Sequence, residues 1–544
     1  TREVDITKNI QSSLTEIPPG VNHTMCFVGV GDHGGGPTEA QVRWCLSNAK
    51  SFPGAELVFS TPDRFFDAIE KEKSVLPLVT GELQMHAVGC FSVHRSVKTR
   101  LRNAEHALSQ AALALEHFSD SKDVESEKEV LDQGWERVAF SHFHDTLAGT
   151  CIPSAYEMID AHLGHALSLA DEILQVTLRK KTAKLPVDKR QRIVLFNTSG
   201  KDWSGMVEVE PWFEWKTPNP EWTLLDDDDK DVPYQNLLAE AATNGLARIL
   251  FPAEIKANNF RVYTIKTEGR RNPVAAGTRV EKKNLVADQG LRIDFGKECL
   301  FSQGTKIPLP VLNLFEDTSD TWSHGVARYE GKSFGKAKWE KNILFADQGP
   351  LFVSAIREGK IGSSELRAEW RLYGGLPFAE LQLRIHWCEE KTILKMLIPS
   401  MADKGVPRFD GTMGGHTPRA HAGRELPMQN WTLVKRTDGH SLGIVSPDVF
   451  ALDGNEKELR LTLLRSPVMA HHDPHKGLHP RSRISDRGEH FFKFRFYLGK
   501  GISIERLERA ALEMERPPVM VNATLGMPTE NQPRMHGRAA SNQP

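Results

Sequence analysis

The sequence has no charge excess, no closely spaced cysteines and no long apolar run. Sixty-nine lysines and arginines stand against 71 aspartates and glutamates, a formal net charge of −2. That balance implies neither nucleic acid nor an anionic membrane as a partner. No stretch approaches the ~20 consecutive apolar residues of a membrane span, and the opening TREVDITKNI has no apolar segment of a signal peptide. The six cysteines, Cys26, Cys45, Cys90, Cys151, Cys299 and Cys388, are scattered without a CxxC. Such usage excludes a thiolate zinc site and a disulfide framework, and implies a reducing, cytoplasmic location. No P-loop, no HExxH and no nucleophile–histidine–acid order is present.

What is present is apolar residue in quantity and in changing periodicity. With 39% hydrophobic residues over 544 positions, three or four domains are expected. Residues 1–75 have α/β character: TMCFVGV and AELVFS are strand-like runs, each followed by a helix. The second helix is announced by Thr61, Pro62 and Asp63. Residues 76–185 are expected to be helical. Val97, Leu101, Ala104, Leu108, Ala111 and Leu115 alternate steps of four and three, and two more helices follow, making a three-helix bundle. From about residue 190 the period becomes two. In AELQLRIHW, Ala379, Leu381, Leu383, Ile385 and Trp387 share one face, while Glu380, Gln382, Arg384 and His386 share the other. FFKFRFYL repeats the pattern through Phe492, Phe494, Phe496 and Leu498, as strands of large antiparallel sandwiches do. EGRRNPVAAG (268–277) divides a small β domain (186–275) from a large one (276–520), and 521–544 is expected to be a disordered tail. The Asp226–Asp229 run lacks neutral oxygen ligands and reads as a solvated loop, not a calcium site.

Three polar clusters can carry chemistry. The first is FVGVGDHGGGPT (27–38), which formally satisfies GxGxxG. A pyrophosphate site needs backbone amides and no nearby negative charge. Asp32 sits inside the loop, and the acidic residue expected about 20 positions later is absent, so a dinucleotide-binding oxidoreductase is disfavoured. Asp32 is then either a carboxylate held by glycines for general acid–base work or the cap of a helix beginning near Thr38. The second cluster is FSHFHDTLAGT (140–150), where His142, His144 and Asp145 precede Gly149. A histidine beside an aspartate offers a metal ligand and a hydrogen-bonding carboxylate, or simply closes a helix end. The third, GELQMHAVGCFSVHRSVKTRLRNAE (81–105), carries Glu82, His86, His94 and several basic residues, each with an ordinary surface reading.

In this order the three stretches resemble the family-38 α-mannosidases, zinc-dependent retaining glycosidases. VLFNTSG, HWCEEKTILKMLIP and DRGEHFFKFRFYL are similar to landmarks of that family's β domains, so the resemblance covers roughly residues 20–515. It implies a multidomain α+β fold: the C-terminal end of a seven-stranded-barrel-like α/β catalytic domain, then the three-helix bundle, then β-sandwiches. It implies Asp32 as the general acid/base, His144 as a Zn2+ ligand and Asp145 as the acceptor of sugar hydroxyls. The substrate would be an α-mannoside, or a mannosyl-glycerate as in the bacterial and cytosolic branch, and a homo-oligomer is compatible with the sequence. One departure is plain. The family's HxD zinc-ligand pair and its nucleophile lie upstream of the acid/base loop, and nothing in residues 1–28 matches them. The chain is therefore expected to be incomplete, and a non-catalytic carbohydrate-binding remnant stands as the alternative.

Overall fold

The computed structural model describes residues 3–30, 35–78, 86–120, 124–211, 222–238, 247–267, 277–329, 331–399, 408–411, 414–416, 423–454, 458–471 and 480–523. It divides into two compact units, Thr1–Gly81 and Glu82–Pro544.

The first unit contains helices α1 (Thr7–Thr15), α2 (Glu39–Ser47) and α3 (Pro62–Glu70). Ile6 and Ile10 pack with Cys45 and Phe52 in a small core. Thr38 caps α2 in a reciprocal box with Gln41, and Thr61 caps α3 with Pro62 in its first turn. The two runs expected to be strands differ from that reading. Among the described residues neither TMCFVGV nor AELVFS joins a ladder; the second shows only an isolated Phe52–Ala55 bridge. A strand is a paired state, and an apolar run cannot supply its own hydrogen-bonding neighbour. Phe27 and Val58, 83% and 69% exposed, accordingly project from unpaired chain.

The second unit opens on four helices, α4 (Arg95–Phe118), α5 (Glu125–Ser141), the one-turn α6 (His144–Ala148) and α7 (Pro153–Thr182). The stripe read from the sequence is buried: Val97, Leu101, Ala104, Leu108 and Ala111 on α4 meet Leu131 and Val138 of α5 and Ile159, Leu163 and Ala170 of α7 in one core. Met158 of α7, one residue before Ile159, is exposed.

Beyond residue 190 the described residues form five sheets in which every strand pairing is antiparallel. The chain is thus a mixed helix-and-sheet, multidomain protein. The largest sheet places Ser364–Tyr373, Ala379–Trp387 and Gly488–Lys500 side by side. Ala379, Leu381, Leu383, Ile385 and Trp387 are buried together with Phe492, Phe494, Phe496 and Leu498 in the sandwich core. The opposite face departs from simple alternation, because Glu380 is only 1% exposed. The cover comes from helix α8 (Ile504–Glu515) and the strand Trp203–Val209, which line one cavity with it. Helix α8 lies inside a region expected to be β throughout. Ser503 caps it, and Leu507, Ala510 and Ala511 form its buried stripe. The boundary region 268–276 lies outside the described residues. The expected tail starts too early: Val519–Ala523 is a strand paired with Arg192–Asn197, which also pairs with Asn259–Lys266. A partner far away in sequence makes this short apolar run a strand.

The basic residues before and within α4 also depart from their surface reading. Arg95 and Lys98 are buried. The Arg95 backbone N–H donates to Asp486 Oδ1 (2.7 Å), while its guanidinium donates to Asp448 Oδ1 (3.1 Å) and Phe491 O (2.8 Å) and covers the Phe492 ring. Arg102, seven residues on and on the same face, donates to Pro447 O (2.7 Å) and Asn430 Oδ1 (3.2 Å). We expect Arg95→Leu to lower unfolding free energy by roughly 3 kcal/mol, because it leaves Asp448 without its buried partner. Urea denaturation would show this as a lower midpoint at unchanged slope.

Candidate functional site

The FSHFHDTLAGT stretch forms a sharp corner between α5 and α7. His142 terminates α5, and its Nε2 lies 2.6 Å from Glu105 Oε1 on α4. That contact ties one helix to another and withdraws His142 from the candidate donors. His144 then opens α6, its ring tilted against Phe143 at 4.3 Å. Gly149 ends α6 in the left-handed region, φ 84°. A Cβ there would fall 2.5 Å from Val93 O, so the corner presses on the turn that precedes α4. Lys98 Nζ joins the same two pieces, donating to Val93 O (2.6 Å) and Ala148 O (3.2 Å). Burial lowers its pKa to about 8.

On this fixed corner the two remaining candidates point outward. The His144 side chain is 81% exposed and Asp145 is 44% exposed, with Nε2 and Oδ2 3.6 Å apart. Thr150 Oγ1 donates to Asp145 Oδ1 (3.1 Å), and Thr150 N–H donates to Asp145 O (3.0 Å). One carboxylate oxygen is therefore oriented from inside. Tyr156 Oη, 3.5 Å from Asp145 O, supports the backbone and accepts from Cys151 N–H (3.1 Å). The Tyr156 ring stacks on His94 at 3.9 Å. His94 thus opens α4 as a packing residue, its pKa lowered by burial.

Asp32, like Glu82, lies outside the described residues. Around Asp32 two facts bear on the alternatives. Thr38 itself caps the following helix, so that position is filled without an aspartate. Val30 N–H donates to Gly36 O (3.2 Å), and a Cβ on Gly35 would lie 2.8 Å from Val30 O. Gly35 thus needs no phosphate to account for it.

A further polar group came from a region read only as β structure. Gly89 N–H donates to Trp322 O (2.9 Å), the His86 and His324 rings lie 5.2 Å apart, and His324 Nδ1 is 2.7 Å from Asp320 Oδ2. Burial raises the Cys90 thiol pKa; Lys98 and Arg465 oppose the rise, and Asp320 and Asp145 add to it. The 86–93 turn therefore lies between the His144–Asp145 corner and the 320–324 loop. The run DTWSHG (320–325), dense in polar and aromatic residues, was the available signal, but nothing local joins it to residue 145.

Two family models match the chain: the alpha mannosidase middle domain over residues 85–180 and the glycosyl hydrolases family 38 C-terminal domain over residues 303–475. Over these two segments the chain is similar to domains of the family-38 α-mannosidases. It is similar to human alpha-mannosidase 2C1, 30% identical over 164 residues, which are 27% of this chain and 15% of that protein. It is also similar to alpha-mannosidase G of Dictyostelium discoideum, 34% identical over 145 residues, 25% of this chain and 13% of that one. The aligned stretch thus spans less than a fifth of these relatives. Among solved structures, an alpha-mannosidase from Enterococcus faecalis V583 superposes with a TM-score of 0.71 at 15% identity, covering 93% of this chain and 66% of that one. A family-38 protein from Enterococcus faecalis gives 0.70 at 15% identity, covering 95% and 68%. At that identity the likeness establishes the fold alone. The His144–Asp145 corner falls within the family-38 middle-domain match.

Gly149→Ala should destabilise the protein by at least about 1 kcal/mol, since an L side chain in the left-handed region is strained and the Val93 carbonyl leaves it no room. Chemical denaturation measures the loss.

Proposed function

We propose that this chain carries part of the active site of a retaining α-mannosidase that hydrolyses terminal α-mannosides by double displacement. Asp32 is its general acid/base, His144 a zinc ligand and Asp145 the acceptor of sugar hydroxyls. The observation that carries the reading is the His144–Asp145 corner: two outward side chains, buttressed from below, inside a family-38 middle-domain match. In the same reading, residues 1–75 belong to a barrel-like α/β catalytic domain, 76–185 to the helical middle domain and the remainder to β domains. The six free cysteines support a reducing, cytoplasmic setting, and a mannosyl-glycerate remains within the substrate class.

The donors fit zinc at one position. His144 offers an exposed imidazole, the usual nitrogen ligand, whereas among the described residues no three His, Cys, Asp or Glu side chains gather as a metal site. Bound zinc would act as a template and Lewis acid for the sugar's hydroxyls. Two of the chain's own residues take further roles, while the carboxylate nucleophile that the double displacement needs has no match in residues 1–28. Asp145, with Oδ1 held by Thr150, keeps acceptor capacity toward sugar O–H groups. The Asp32 carboxyl donates its proton to the departing glycosidic oxygen and later takes one from the incoming water.

Two outcomes, read in a protein that also supplies the HxD pair and the nucleophile, test these roles. His144→Ala should lose zinc together with hydrolysis, while Asp145→Asn should keep zinc and raise KM; full zinc content by metal analysis of the His144 variant would refute the ligand assignment. Asp32→Asn should slow mannosides with poor leaving groups far more than p-nitrophenyl α-mannoside, whose leaving group needs little protonation. Equal losses on both substrates would remove Asp32 from the acid/base role.

A further inference from the structure

A cavity of about 690 Å³ opens where the largest sheet meets the strand Trp203–Val209 and helix α8. Its floor is the face of the sheet opposite the sandwich core. Arg371 stands beside Glu380, and Glu380 beside Arg495, in the cross-strand register; Gln382 faces Lys493. Its walls are Trp203 and Glu208 on one side and Arg506, Arg509 and Glu513 on the other. None of these residues belongs to the His144–Asp145 corner.

The charges here are paired among themselves. Glu208 accepts from Arg248 (2.7 Å) and Arg371 (2.8 Å). Glu380 accepts from Arg495 (3.3 Å), Gln382 (3.1 Å) and the Tyr373 hydroxyl (3.2 Å). Glu513 accepts from Arg509 (3.2 Å) and lies 3.5 Å from Arg495. Burial would push Glu380 up, but the Lys493, Arg495 and Arg371 charges overcome it and hold its pKa at about 2. Each of these carboxylates is thus shared between two or more basic side chains. An anionic ligand would have to compete with carboxylates for the guanidinium groups, and a cationic ligand the reverse.

The lining does suit a neutral ligand that both donates and accepts along its length. Guanidinium groups carry five donors each, ionised carboxylates offer about four acceptor sites, and a hydroxyl serves either. Trp203, Phe378 and Tyr497 add aromatic carbon to the walls, with Arg495 over the Phe378 ring (4.5 Å) and Arg506 over Tyr497 (5.5 Å). A sugar ring presents that combination, hydroxyls at its rim and C–H groups on its faces. The volume lies within the ~300–1,000 Å³ of small-ligand sites, and packed domain interiors do not leave voids of this size.

We propose that this cavity is an accessory binding site for a neutral saccharide, separate from the hydrolytic corner. The proposal rests on the glycosidase reading only for the choice of a mannoside as probe. The test is saturation-transfer NMR on the full chain with methyl α-mannoside and an α-linked mannobiose. Ser204→Trp, at an exposed position on the cavity wall, places an indole across the opening, and Gln382→Leu removes a floor amide with little change of shape. Both variants, checked by their melting temperatures, should weaken binding roughly tenfold or more, while His144→Ala should retain it. Zinc content and hydrolysis of the His144 variant report on the catalytic reading independently. Three outcomes overturn the proposal: no saccharide binding by the unmodified chain, binding indifferent to both cavity variants, or sodium phosphate as the ligand that the cavity variants lose. Should one variant fail to fold, the other decides.

Discussion

The second unit depends on a helix that is amphipathic twice over. Helix α4 buries Val97, Leu101, Ala104 and Leu108 against its neighbouring helices. It also presents Arg95, Lys98 and Arg102, spaced three and four apart, to carbonyls and carboxylates elsewhere in the unit. Buried guanidinium groups are costly unless hydrogen-bonded and paired. Arg95 meets that requirement with Asp448 and Phe491, so the helix has a defined seat against the β structure. Arg465 repeats the device from the opposite side. Completely buried, it donates to Asp317 Oδ2 (2.7 Å), Ser319 Oγ (2.8 Å) and Thr321 O (2.6 Å), fixing the loop whose Trp322 carbonyl receives Gly89.

The candidate site inherits its geometry from that arrangement. The 86–93 turn is held by the 320–324 loop on one side and pressed by Gly149 on the other. The short α6 can therefore hold His144 and Asp145 outward without burying either. A site on a loop is only as precise as the shell behind it. Here that shell comprises Thr150, Tyr156 and Lys98, whose hydrogen bonds run to the backbone or the inner carboxylate oxygen. The exposed atoms remain available for a ligand.

The same logic separates the two polar surfaces of the unit. At the α6 corner the polar atoms face solvent with few internal partners. On the floor of the sheet cavity, Glu380 and its cations are almost wholly satisfied by one another. The first arrangement suits chemistry that needs an accessible carboxylate and imidazole. The second suits recognition without net charge.

The sequence by itself determined the elements whose signal is local. The α4 stripe, the Thr61–Pro62 helix start, and the alternation through Leu381, Leu383, Phe492 and Phe494 can be read because helix and strand periods register burial directly. The resemblance to family 38 was legible from six stretches in order, from the glycine loop through HDTLAGT to DRGEHFFKFRFYL, since motif order survives where overall identity is low. Only the tertiary structure decided which polar residues are buried. Arg95, Lys98, Glu380 and Arg465 are charged residues that composition assigns to the surface, and each is buried because its partners arrive from elsewhere in the chain. Tertiary pairing also made a strand of Val519–Ala523 and left TMCFVGV without a ladder among the described residues. Periodicity is a property of one segment, whereas a hydrogen bond or an ion pair belongs to two. Wherever the second member lies far along the chain, the fold alone can supply it.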